Sequence, residues 1–273
     1  MPILQVSPDL EMHYVVDDFT DPWHNAEAVL LLHGNAESGV VWASWVPYLA
    51  RHYRVVRPDM RGFGESTPMP RDFVWTPDGL VDDYISLMNS LGIERFHLVG
   101  AKISQVVARR CAVRFPGRIQ SLTLVGTLLS NDAKDAALTA ARIEEYEKHG
   151  LGPWARRTAT MRLGDEFPPE GVDWWVNLMA RTSVSTEVGL LKSCLKWDIT
   201  SDFPQITCQT LLITDEGRVG GSSIEETRTW QRKIPNSRLL ELPTTGRHVA
   251  ACDADRCARE TFDFISSLGA NKG

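Results

Sequence analysis

The most informative chemistry in this chain lies in residues 100–104, Gly-Ala-Lys-Ile-Ser. An apolar run at residues 96–99 predicts a buried strand before this segment, and a helical pattern begins at Ile103. Gly100 permits a sharp turn, which places Lys102 between the strand and the helix. A neutral lysine there can form a Schiff base with a ketone or aldehyde, whereas a charged one can stabilise a carboxylate or an enolate.

The elements that position this lysine alternate between strand-like runs and helical patterns, which is typical of a parallel sheet covered on both faces. Residues 4–17 could add an antiparallel edge pair. We therefore predict an α/β fold with a mostly parallel sheet and helices on both faces. The predicted central strands are residues 29–33, 53–58, 96–99, 121–125, 210–214 and 238–242.

A long segment without a convincing strand separates residue 126 from residue 210, and it is too long for a simple connection. We predict a helical lid at residues 129–204, inserted into a core formed by residues 1–128 and 205–273. Outside it, helices are predicted from Pro77 to Leu91 and from Asp253 to Leu268. The helices predicted within the lid are residues 136–148, 154–161, 172–180 and 185–196.

The order of the motifs resembles that of the α/β-hydrolase superfamily over nearly the whole chain. His33-Gly34-Asn35 is similar to the oxyanion-loop motif of that family, and residues 58–66, Pro-Asp-Met-Arg-Gly-Phe-Gly-Glu-Ser, are similar to its P-D-x-R-G-x-G-x-S turn. Residues 100–104 then resemble the G-x-S-x-G nucleophile elbow, with Lys102 where the family has its serine. The resemblance implies an α/β-hydrolase fold and a hydrolase activity.

The resemblance also implies further site residues. The oxyanion would be held by the amide of Ile103 and by one near Asn35 or Ala36. His248, after the last strand, matches the position of the family's catalytic base. The acid beside it would be Glu216 as first choice or Asp215 as second. An acid near Asn131-Asp132 is an alternative placement that lies late for the motif.

Lysine cannot simply replace serine, because an acyl-lysine is an amide and is too stable to turn over easily. Ser104 is an unattractive nucleophile, since its neighbours at the two-residue offset, Lys102 and Val106, are not small. A helix N-terminus disfavours a cation by about 0.3–1 kcal/mol, whereas burial under a lid can lower a lysine pKa by several units. Desolvation is therefore expected to dominate at Lys102, unless Glu216 or Asp215 lies close to it.

Three hypotheses on the function of the protein stay open. The first is an ester, lactone or carbon–carbon bond hydrolase with a His248 base, an oxyanion hole and direct attack by water. The second is a lysine-dependent lyase or decarboxylase, with cofactor-free oxygenase-like chemistry as a related possibility. The third is a non-catalytic ligand-binding protein or an inactivated variant. Tryptophans predict an apolar or aromatic substrate of small to medium size, and the candidate pocket residues are Trp42, Trp45, Trp154 and Trp174.

The composition of the 273-residue chain limits the kinds of ligand and partner that it is expected to bind. A net charge of −6 argues against a general nucleic-acid binder, and no apolar stretch approaches the roughly 20 residues of a membrane span. The five cysteines are odd in number and lack metal-ligand spacing, which favours reduced thiols and a cytoplasmic location. No pattern calls for a metal, a flavin or a nucleotide. We therefore predict a small-molecule substrate, no cofactor, no signal peptide and a possible homo-oligomer.

Overall fold

The computed structural model describes residues 2–126, 136–198, 200–215, 224–244 and 246–270. Its eight strands form one sheet in the order β1-β2-β4-β3-β5-β6-β7-β8. The pairs β1/β2 and β2/β4 are antiparallel, and all other neighbours are parallel. This confirms the predicted fold class. The strands are β1 (Ile3–Ser7), β2 (Leu10–Asp17), β3 (Ala28–Leu32), β4 (Arg54–Pro58), β5 (Phe96–Ala101), β6 (Ile119–Val125), β7 (Gln209–Asp215) and β8 (Ser237–Leu242).

Helices cover both faces of the sheet, and the strands alternate their apolar side chains between two core clusters. Leu30 and Leu98 belong to the cluster under α2 (Pro77–Ser90) and α3 (Ser104–Arg114). Their neighbours along the strands belong to the other cluster, under α1 (Val46–Leu49), α10 (Val249–Cys252) and α11 (Ala254–Ala270). Successive strand residues point to opposite faces, so a strand buried on both faces requires the nearly continuous apolar runs seen in the sequence. The remaining core helix is α9 (Ile224–Gln231).

A helical insert lies between β6 and β7, as predicted. The helix predicted at residues 154–161 is divided in two at Thr158, where the backbone leaves the helical conformation. The lid boundaries at residues 129 and 204 stay predictions, and residue 129 lies outside the described part of the chain. The insert comprises α4 (Ala136–His149), α5 (Leu151–Arg157), α6 (Ala159–Leu163), α7 (Pro169–Ala180) and α8 (Val184–Cys194).

The insert has an apolar cluster of its own, which includes Tyr146, Leu151 and Val188. Ala36, from the loop after β3, also belongs to this cluster. The lid therefore packs directly on the loop that the sequence assigns to the oxyanion hole.

Gly100 allows β5 to pass closely under α3. A Cβ atom at this position would lie 2.7 Å from the carbonyl oxygen of Ser104 and 2.8 Å from Cβ of Ala108. Because backbone and a buried methyl group cannot yield easily, we expect Gly100→Ala to lower the free energy of unfolding by about 1–3 kcal/mol. Urea unfolding measures this, with Gly117→Ala as the control, since nothing lies within 4 Å of a Cβ there. Equal losses in the two variants would contradict the close contact.

Candidate active site

Lys102 lies at the turn between β5 and α3 and has a φ of +52°. Among the described residues, Ala36 is the only other non-glycine residue with positive φ, at +56°. Such a conformation costs about 1–3 kcal/mol for a residue with a side chain, and it concentrates at functional sites. Both strained residues belong to the segments that the sequence assigns to the site. The Lys102 side chain is 22% exposed.

Glu37 is the immediate partner of Lys102, and the sequence analysis missed it. The Nζ atom of Lys102 donates to Glu37 Oε1 at 3.0 Å, and the Glu37 side chain is fully buried. Glu37 Oε2 accepts from the amide of Gly34 at 3.0 Å. A Cβ at Gly34 would lie 2.8 Å from Cδ of Lys102, so a glycine is needed where the lysine crosses this loop.

The loop that carries Glu37 is fixed by hydrogen bonds to neighbouring segments. His33 Nε2 accepts from the amide of Met60 at 2.8 Å, so His33 Nδ1 carries the proton and donates to the Gly34 carbonyl at 2.7 Å. The amide of Gly39 donates to Asp59 Oδ1 at 2.6 Å. Hydrogen bonds thus join the loop that begins with the motif at residues 33–35 to the motif at residues 58–66, and they set the position of Glu37.

His248 lies immediately before α10, and its amide donates to the Arg162 carbonyl of the lid at 2.8 Å. Its ring packs edge-to-face on Trp175, with 4.9 Å between centroids. His248 Nε2 lies 3.0 Å from Glu37 Oε1, but out of line for a hydrogen bond, so this buried nitrogen has no hydrogen-bond partner among the described residues. The structure therefore brings Lys102 and His248 together on one oxygen of Glu37.

Burial and charge shift the ionisation of all three groups. Burial raises the pKa of Glu37, but the charge of Lys102 and the nearby His248 ring outweigh this effect, so that the pKa of this carboxyl is held well below its usual value. Burial lowers the pKa of Lys102, and Glu37 opposes this shift. Burial and the charge of Lys102 lower the pKa of His248, against the opposing effect of Glu37. The result is an ionised carboxylate beside a histidine that favours its neutral form.

The acids predicted from the sequence have different outcomes. Asp215 is buried at the end of β7, and its charge acts on Arg247 and Cys252, on either side of His248 along the chain. Its role as the partner of His248 stays a prediction. Glu216 and the alternative at Asn131-Asp132 lie outside the described residues.

Of the predicted oxyanion-hole residues, Asn35 and Ala36 lie where the core meets the lid. Ile103 immediately precedes α3, where the positive end of the helix dipole favours a negative ligand. Asn35 is half-buried, and its Nδ2 donates to Glu187 Oε1 of α8 at 2.7 Å. Their role in holding an oxyanion stays a prediction. Ser104 is fully buried, and its hydroxyl donates to the His33 carbonyl, so it serves the packing of the turn.

The four tryptophans predicted to line a pocket lie in different surroundings. Trp42 and Trp45 are fully buried in the core cluster under α1, where their rings pack edge-to-face at 4.8 Å. Trp154 is half-buried in the lid, and Trp174 is 44% exposed. Trp175, which the sequence analysis did not choose, is the tryptophan that packs on His248. The sequence alone does not tell which of the two adjacent tryptophans, Trp174 or Trp175, points towards His248, because that depends on how the helix packs in the fold.

No cluster of three or more histidine, cysteine or acidic side chains among the described residues has the arrangement of a metal site. No helix among those residues has the length and apolar character to cross a membrane. Cys111, Cys208, Cys252 and Cys257 are free thiols.

Comparison with known proteins places the chain in a family. The profile described as "alpha/beta hydrolase fold" matches residues 27–249. The chain is 37% identical to a fluoroacetate dehalogenase from Burkholderia sp., over 88% of this chain and 87% of the relative. It is 32% identical to a 2-hydroxymuconate semialdehyde hydrolase from Pseudomonas sp. strain CF600, a match that spans only 45% of either protein. The chain therefore belongs to the α/β-hydrolase fold family.

A solved structure supports the same fold at lower identity. The enol-lactonase from Burkholderia xenovorans LB400 matches with a TM-score of 0.87, covering 97% of this chain and 100% of the lactonase, at 20% sequence identity. At this identity the match shows the fold alone. The Lys102–Glu37–His248 cluster must therefore be interpreted from its own geometry.

Proposed function

We propose that this protein hydrolyses an ester, a lactone or a carbon–carbon bond next to a carbonyl group. The observation that carries the proposal is the position of Glu37 Oε1, which lies 3.0 Å from both Lys102 Nζ and His248 Nε2. One buried anion thus lies between a lysine at the elbow and a histidine that favours its neutral form. The name of the semialdehyde hydrolase supports hydrolysis as the reaction class.

Water is the proposed nucleophile. His248 removes a proton from the water as it attacks the carbonyl carbon, since its lowered pKa leaves the ring neutral at neutral pH. The imidazolium formed in this step lies beside the Glu37 carboxylate, which stabilises it. Glu37 therefore stabilises the imidazolium by its charge, whereas the acid of a catalytic triad accepts a hydrogen bond from the other ring nitrogen.

The Lys102 ammonium group stabilises the developing oxyanion in this reaction, by its charge and by donating hydrogen bonds. An ammonium group has three N–H donors, and Glu37 accepts from one of them, which leaves two for the oxygen that becomes negative. The amide of Ile103 and one from Asn35 or Ala36 complete the proposed oxyanion hole. No acyl-lysine forms, so no stable amide blocks turnover.

The proposed substrate is apolar or aromatic and of small to medium size. Trp175 packs on His248, and Trp154 is half-buried in the same lid. Aromatic side chains near a catalytic base favour a flat or apolar group beside the scissile bond.

A Schiff-base lyase is the second candidate, because burial lowers the pKa of Lys102 and raises the fraction of neutral amine. The ion pair with Glu37 opposes this and is the reason that we favour the hydrolase.

We expect the protein to hydrolyse 4-nitrophenyl benzoate and to give no selective borohydride adduct at Lys102 in the presence of benzaldehyde. Peptide mapping by mass spectrometry would compare Lys102 with Lys148, an exposed lysine of the lid that serves as the internal control. Reduction at Lys102 well above that at Lys148, without ester hydrolysis, would replace the hydrolase by the lyase.

A further inference from the structure

Glu187 of α8 is a second buried carboxyl group at the junction of the lid and the core. Its side chain is fully buried. Its Oε1 atom accepts from Asn35 Nδ2 at 2.7 Å and from Arg142 Nη2 at 3.1 Å. Its Oε2 atom is buried and has no hydrogen-bond partner among the described residues. One oxygen is thus doubly satisfied, while the other lacks any partner.

This asymmetry decides where a proton would reside. An ionised carboxylate only accepts hydrogen bonds, whereas a protonated one has a single O–H donor. Because Oε1 already accepts two hydrogen bonds, the proton belongs on Oε2. A buried hydrogen-bond donor without an acceptor is costly. This O–H group can therefore donate its proton to an oxygen or carbon atom of a bound ligand.

The surroundings of Glu187 raise its pKa above the ordinary value, and burial is the main cause. Burial raises its pKa, and the negative charge of Glu37 adds to this, while Arg142, Asn35 and Lys102 oppose it. Tyr146 also faces this group, since the charge of Glu187 acts on it. The two buried glutamates of the site are thus shifted in opposite directions, which is a pattern of paired acids and bases in enzymes.

We propose that Glu187 is the proton donor of this site and that its Oε2–H group protonates the leaving atom of the substrate. The proposal rests on the hydrolase function proposed above. Water adds to the carbonyl carbon and gives one proton to His248. The bond to the leaving oxygen or carbon then breaks, its electron pair stays on the leaving atom, and that atom takes the proton of Glu187. Proton transfer from the His248 imidazolium through solvent restores both groups.

This role defines the substrate more narrowly, as one whose leaving group needs a proton. An alkoxide or a carbanion cannot depart readily without one, whereas a 4-nitrophenolate can.

The test compares Glu187→Gln with the wild type on two esters of the same acid, ethyl benzoate and 4-nitrophenyl benzoate. Glutamine can still accept from Asn35 and Arg142, so the lid contact is kept. We expect kcat/KM for ethyl benzoate to fall by about 100-fold or more and that for 4-nitrophenyl benzoate by less than about tenfold. Glu144→Gln, at an exposed position of α4, should change neither value.

Infrared spectroscopy provides a second measurement that does not need turnover. The wild type and Glu144→Gln should show the carbonyl band of a buried protonated carboxyl group at neutral pH, and Glu187→Gln should lack it. Equal losses on both esters, or a wild type without this band, would overturn the role of Glu187 and leave the hydrolase function intact. A wild type that hydrolyses neither ester would overturn both.

Discussion

His248→Ala is expected to lower kcat/KM for 4-nitrophenyl benzoate by about 10²–10⁴-fold, the usual contribution of a general base. His248 is buried, its Nε2 is not engaged in a hydrogen bond among the described residues, and its pKa is lowered by burial and by the charge of Lys102. No other described histidine lies against Glu37 and the lid together.

The control for this variant is His149→Ala, at an exposed position near the end of α4. It should retain wild-type turnover. Thermal unfolding of both variants would separate a catalytic loss from the loss of the ring that packs on Trp175. Unchanged turnover in a folded His248→Ala protein would remove His248 from the mechanism.

Glu37→Gln is expected to lower the free energy of unfolding by about 3–5 kcal/mol, because it removes one partner of a buried ion pair and leaves the Lys102 ammonium without its anion. The pKa of Lys102 should fall further, since Glu37 is the charge that opposes the effect of burial. Urea unfolding measures the first effect. Labelling with a small amine-reactive probe as a function of pH, read by mass spectrometry, measures the second.

The matched control is Glu145→Gln, which breaks an ion pair with Arg157 on the lid surface. An exposed pair contributes about 0–1 kcal/mol, so this variant should unfold nearly as the wild type does. Similar stability losses in the two variants, or an unchanged Lys102 titration in Glu37→Gln, would show that Glu37 does not hold the lysine charge.

The sequence determined the fold and the turn that carries Lys102. Apolar runs of strand length, each followed by a helical pattern, allow few arrangements other than a parallel sheet covered on both faces. The strand–glycine–helix pattern around Gly100 placed Lys102 correctly, because this turn is made by residues adjacent in the chain. The resemblance to the α/β-hydrolase superfamily pointed to His248, and its catalytic role stays a prediction.

Only the tertiary structure revealed Glu37 and Glu187. Glu37 lies 65 residues before Lys102, and Glu187 lies 152 residues after Asn35. A glutamate in a loop or on a helix is ordinarily solvated, and nothing in its sequence neighbourhood tells whether the lid will exclude water from it. Removal from water, together with the charges nearby, shifts the two carboxyl groups in opposite directions. The chain order therefore determined which residue stands at the turn after β5, and the packing of the lid on the core decided which charges surround it.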